Sequence, residues 1–221
     1  MTIIRLLCVI ILLEGLLFSA ACADTGDRAK RGHKNPLISD IKLNLMGFFT
    51  TGLVAGEAAK IIAEYGNNVT DKMLFGGGVS LVSHPKPWYA FGLNLQYAYK
   101  SLPIPGISSS RGWLASASLM VFAQKQVKAI PYLRLDGGFV TGKYPDYDGD
   151  TDLKLGTHPL VRFGGGIFTF ASSKFNTRLE VYYAIVFSSE HVMDQLGGSE
   201  IGFNGECVGL ELAIGIPLMK R

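Results

Sequence analysis

Two pairs of opposite charge stand two residues apart in this chain: Arg134 with Asp136, and Arg178 with Glu180. In an extended strand that spacing puts both members of a pair on one face. There a guanidinium and a carboxylate can either select a polar solute or neutralise each other. Lys42, Arg162 and Glu211 fall on the matching parity of their own alternating stretches, together with Asn44, Asn94 and Gln96. Met46, Phe48, Met120, Phe122, Phe168 and Phe170 share that parity and would add an apolar path. Elsewhere, Asp146, Asp148, Asp150 and Asp152 set four carboxylates at alternate positions, a density of hard oxygen donors that suits Ca²⁺. The segment departs from an EF-hand loop, with Thr151 where Gly is required and Thr157 where a bidentate Glu belongs. The reading that the composition favours is a solvated acidic loop, with Ca²⁺ as the alternative, and no other cofactor is expected. Ser188, Ser189, Glu190, His191 and Asp194 have the residue types of a hydrolytic triad. They crowd one connection, whereas a triad needs rigid support, so no enzyme is expected. Once a leader is removed no second cysteine remains to join Cys207 in redox or metal chemistry.

The elements that must position these groups are strands. In Tyr89–Tyr99 the odd positions are Tyr, Phe, Leu, Leu, Tyr and Tyr, and the even ones Ala, Gly, Asn, Gln and Ala. A period of two marks a strand with two different faces. The pattern recurs about eight times, near Asp40–Thr51, Met73–Ser83, Trp88–Tyr99, Gly112–Ala123, Ala129–Gly142, Pro159–Phe170, Thr177–Phe187 and Cys207–Leu218. The connections at His84–Pro87, Gln124–Lys128 and around Ser172–Lys174 are short, whereas Gly52–Lys72, Lys100–Arg111, Lys143–His158 and Ser188–Glu206 are long. Alternating short and long connections predict an antiparallel up-and-down meander. Gly56–Tyr65, within the first long connection, has helical composition and predicts a short helix.

Two faces leave two ways to close such a sheet. Ile41, Leu45, Phe49, Leu93, Leu95, Leu135, Phe163, Leu179, Leu212 and their equivalents carry no charge, while the opposite parity holds every charge of the strand bodies. A soluble cup would turn the apolar set inward and show water a surface of Gly, Ala and Ser, which is poorly solvated. A membrane barrel turns it outward, and its cramped interior favours small residues. Lys or Arg at the lipid midplane costs about 2–4 kcal/mol, so a charge-free parity on every strand points to apolar-out. The runs Gly76–Gly78, Gly137–Gly138 and Gly164–Gly166 suit strongly bent strands closing a narrow cylinder.

Composition agrees. Charged residues are 18% of the chain, below the roughly 25% of soluble domains. A net charge of +3 gives no footprint for nucleic acid. Arg5, the apolar run Leu6–Phe18 and the small residues Ala21 and Ala23 read as a signal peptide over 1–23; lipidation at Cys22 is an alternative. Residues 24–38 are polar and basic and read as a flexible periplasmic tail, and 39–221 as the barrel domain.

With its signal peptide, strand count and aromatic strand ends (Tyr89, Tyr99, Trp113), the chain resembles the small eight-stranded outer-membrane proteins of the OmpA, OmpX and above all OmpW types. The resemblance implies a monomeric all-β transmembrane barrel in the outer membrane, with both termini periplasmic and the helix in the first extracellular loop. An OmpW likeness implies a narrow passive path for small hydrophobic solutes. The other types imply a closed-lumen structural, adhesive or ligand-binding role, meeting a host or extracellular ligand through the loops. A more distant implication is a lipid-modifying enzyme. One departure is the ending Met219-Lys220-Arg221, which lacks the terminal aromatic usual in those proteins and suggests a distant member.

Overall fold

The computed structural model describes residues 41–55, 59, 73–104, 107–123, 129–145, 152–170, 175–187, 191–193, 200–202 and 205–220. Eight long strands alternate in direction and close on themselves. They are β1 (Ile41–Ala55), β2 (Met73–Lys86), β3 (Tyr89–Ile104), β4 (Ile107–Phe122), β5 (Ala129–Pro145), β6 (Asp152–Phe170), β7 (Asn176–Val186) and, after two three-residue strands β8 (His191–Met193) and β9 (Glu200–Gly202), β10 (Gly205–Lys220). The barrel order is β1-β10-β7-β6-β5-β4-β3-β2, and every pairing is antiparallel. β8 and β9 pair with each other as a separate sheet.

The strands run further than period two suggests. Lys100–Arg111, expected as a long connection, is almost all strand: Lys100 pairs with Ser110, and only Pro105 and Gly106 lie between β3 and β4. Backbone pairing here overrides a Ser- and Pro-rich composition that reads as a loop. The helix expected over Gly56–Tyr65 lies outside the described residues apart from Ala59, as do the leader and the basic tail.

The faces fall as the charge argument requires. Leu93 is 65% exposed and Leu133 62%, while Arg178, Glu180 and Glu211 are at 0%. The apolar parity forms the outer wall and the charged parity is enclosed, which excludes the soluble cup. Aromatic rings meet at both ends of the wall, Trp88 with Tyr89 at 4.4 Å and Tyr97 with Trp113 at 5.2 Å.

Parity fails at the start of β1. Lys42, expected in the lumen, is exposed, and Ile41, expected on the wall, is buried. The β1–β10 ladder slips on both sides of Leu43, next to the Asn44–Pro217 pair. Pro217 has no N–H to give to the ladder, and the resulting bulge rotates the two residues before it to opposite faces.

Two glycines of β6 lie too close to the backbone of β7 to carry a side chain. A Cβ on Gly164 would lie 2.6 Å from the Val181 carbonyl oxygen, and one on Gly166 would run into the Leu179 carbonyl oxygen and lie 2.8 Å from the Glu180 Cα. By contrast, a Cβ on Gly137 meets open space. Gly166→Ala is therefore expected to cost about 1–3 kcal/mol by overpacking, and Gly137→Ala to stay within about 0.5 kcal/mol. Urea unfolding of the two variants in lipid vesicles checks the contrast.

Candidate functional site

Six charged side chains form one layer across the lumen. Arg134 and Asp136 come from β5, Arg162 from β6, Arg178 and Glu180 from β7, and Glu211 from β10; each is no more than 3% exposed. Arg134 donates through Nε to Asp136 (2.7 Å) and through Nη1 to Glu180 (3.3 Å) and Glu211 (3.0 Å). Arg162 donates through Nη2 to Glu180 (3.1 Å) and Glu211 (2.6 Å), and its Nε lies 3.1 Å from Asp136. Arg178 donates to Glu211 and reaches the Met120 sulfur at 3.7 Å. Three guanidinium groups thus face three carboxylates with no net charge. The neutrality matters, because Glu180 and Glu211 are direct cross-strand partners, and like charges so placed repel unless cations intervene.

Two tyrosines complete the layer. The Tyr132 hydroxyl donates to Glu180 at 2.6 Å, and the Tyr182 ring lies under the Arg162 guanidinium at 4.4 Å. Neither was singled out from the sequence. The signal was available, since each precedes a residue of the apolar parity (Leu133, Tyr183) and so must face inward.

The facing half of the cylinder brings no described carboxylate, lysine or arginine into the lumen. Gln96 donates to the Thr50 hydroxyl (3.0 Å), Ser80 to Asn94 (2.6 Å), and Asn94 to the Ser116 hydroxyl (3.1 Å). Asn44 exchanges paired amide hydrogen bonds with Asn176 at 2.9 and 3.1 Å.

Apolar packing lies on both sides of the ions. Towards the rim with the short turns, Met46, Phe48, Val82, Met120, Phe122, Ile130 and Phe168 are buried together, and the His84 ring lies 5.6 Å from Phe122. Towards the other rim, Leu160, Tyr182 and Ala184 pack with Leu114, Val186 and Cys207. The sequence assigned Met46, Phe48, Met120, Phe122 and Phe168 to an apolar path; the structure places them in one cluster, with Met46 at 0% exposure and Phe168 at 1%. Phe170 ends β6, and its side chain lies outside the described ones. Of the acidic segment, Asp152 opens β6, while Asp146, Asp148 and Asp150 lie outside the described residues.

Such an arrangement can fill and brace a cylinder. An open pore would leave its lining accessible to water, whereas the ions here are buried and paired with one another.

No protein-family model and no curated protein matches the chain. Solved structures do. Neisserial surface protein A is 11% identical with a TM-score of 0.58, covering 80% of this chain and 97% of its own. Ail, the attachment invasion locus protein of Yersinia pestis, is 9% identical with a TM-score of 0.49, covering 80% and 98%. The N-terminal β-barrel domain of Pseudomonas aeruginosa OprF is 14% identical with a TM-score of 0.43, covering 80% and 99%. A closed, eight-stranded antiparallel cylinder with an apolar outer wall, aligned with almost the whole of neisserial surface protein A, gives this chain the fold of a small outer-membrane β-barrel.

Proposed function

We propose that this chain is a closed-lumen outer-membrane protein that acts at its long-loop rim, as a structural, adhesive or ligand-binding surface, rather than by conducting solutes. The observation that carries this reading is the ionic layer: Arg134, Arg162 and Arg178 are tied to Asp136, Glu180 and Glu211 across the lumen, with apolar clusters on either side. Ion selectivity in a pore depends on charged groups that a solute can reach, and these groups are occupied by each other. The short-turn rim and both termini would face the periplasm, following the usual order of such barrels. Expected partners are outer-membrane lipid along the wall and a host or extracellular ligand at the loops, met by a monomer. No catalytic role is proposed.

The competing reading is the narrow passive path for small hydrophobic solutes that an OmpW likeness implies. Its candidate lining packs against itself in the short-turn half, so a solute would have to displace both that cluster and the ions beyond it. Planar-bilayer recording on the purified protein should give no steady openings, and proteoliposomes should take up a small apolar solute no faster than protein-free vesicles. Steady conductance or accelerated uptake would overturn the closed-lumen reading.

A further inference from the structure

The short-turn rim gathers cations and almost no acid. Lys86 closes β2, Lys125 and Lys128 fall between β4 and β5, Lys174 falls between β6 and β7, and β10 ends on Lys220. Lys42 stands at the start of β1. From Ile41 onward every Asp and Glu is elsewhere. Asp136, Glu180 and Glu211 are in the lumen, and the others belong to the β1–β2, β5–β6 and β7–β10 connections at the opposite rim or to the strand ends beside them. Asp40, one residue before β1, is the one acid close in sequence.

Three of these cations fall on neighbouring strands. β1 stands between β10 and β2 in the barrel. Lys220 pairs with Ile41, Lys42 follows Ile41, and Lys86 ends the adjoining strand. Lys42 and Lys86 are both exposed, and among the described residues no carboxylate pairs with either. Like charges on neighbouring strands repel unless an anion joins them. The same sector is the edge of the apolar wall: Leu45, Ile216 and Leu218 are exposed on β1 and β10. Trp88, two residues beyond Lys86, is 45% exposed, with its ring edge-on to Tyr89. Trp and Tyr mark the level where hydrocarbon gives way to headgroups. A lysine at that level lays its four-carbon stem along apolar surface and holds its ammonium in the polar layer. The slip at Leu43 brings Lys42 to that place, turning it onto the wall where lumen parity would have enclosed it.

We propose that the short-turn rim selects anionic phospholipid, with Lys42 and Lys86 holding the phosphates of net-negative headgroups along the β10-β1-β2 sector. A zwitterionic headgroup carries its own cation and relieves less of the repulsion between the lysines. A soluble polyanion would not need those lysines to adjoin exposed Leu and Trp side chains, which favours lipid. The proposal rests on the lipid-facing wall of the function proposed above, and not on its closed lumen.

The chain has two tryptophans, so Trp113→Phe leaves Trp88 as a single reporter beside Lys86. The full chain is folded into vesicles of phosphatidylcholine mixed with phosphatidylglycerol, with one lipid or the other brominated high on its acyl chains. Quenching of Trp88 then gives the relative occupancy of the two lipids at this rim. Phosphatidylglycerol should be favoured by about twofold or more, as expected where lysines meet anionic headgroups. The preference should collapse at high salt, and should fall by about half when Lys42→Gln and Lys86→Gln are combined. Heat-modifiable mobility on gels reports that this variant has folded, and the salt series needs no lysine substitution. Equal occupancy would overturn the proposal and leave the basic rim to a soluble polyanion. A preference that ignores salt, or that the lysine variant keeps in full, would overturn it as well. Trp88 left unquenched by either lipid would instead strike the lipid-facing wall itself, and the proposal with it.

Discussion

Glu211→Ala should lower the unfolding free energy by about 3–5 kcal/mol, the loss expected when one partner of a buried ionic cluster is removed. All three arginines donate hydrogen bonds to Glu211: Arg134 at 3.0 Å, Arg162 at 2.6 Å, and Arg178. Without it three guanidinium groups share Glu180 and Asp136, and one positive charge is left enclosed in the wall. Urea titration in lipid vesicles, read by tryptophan fluorescence and gel mobility, measures the effect. Adding Arg178→Ala to Glu211→Ala should return part of the loss, because neutrality is restored even though packing is not. The double-mutant cycle separates that coupling from the cavity it leaves. A loss under about 1 kcal/mol for Glu211→Ala would mean that the layer is hydrated and braces nothing.

The second large effect lies on the other face. Leu93 is 65% exposed near the middle of the apolar run Tyr89–Tyr99. Leu93→Arg should cost about 2–4 kcal/mol if that wall meets hydrocarbon at mid-depth. Ser83→Arg, at an exposed position near the short-turn rim, should cost about 0–1 kcal/mol on the same scale. Equilibrium unfolding from phospholipid vesicles compares the two. A neutral or stabilising Leu93→Arg would mean that water, rather than acyl chains, surrounds the barrel.

Much of this was legible because period two is a physical constraint on a closed wall. A residue on a lipid-facing barrel strand has two places to go, so the charge-free parity alone puts Arg134, Asp136, Arg162, Arg178, Glu180 and Glu211 inside. Lys42 escaped because a bulge beside Pro217 reverses parity locally, and the cause sits on a strand distant in sequence. The stretch around Lys100–Arg111 reads as a loop yet forms strand, because its Ser and Pro content describes intrinsic preference while pairing with a neighbouring strand decides the outcome. Periodicity also carries no information on strand rotation about the axis. It could place six ions inside, yet could not say that they meet at one level or that Tyr132 and Tyr182 join them.

All six ions come from β5, β6, β7 and β10, which are consecutive neighbours around the cylinder. The electrostatic debt of the interior can therefore be settled within one contiguous sheet, before the seam between β1 and β10 exists. An arriving chain would not have to hold bare charges in the bilayer while it waits for its first and last strands to meet. The half made by β1 to β4, which brings no described carboxylate, lysine or arginine into the lumen, can then close over a core that is already neutral.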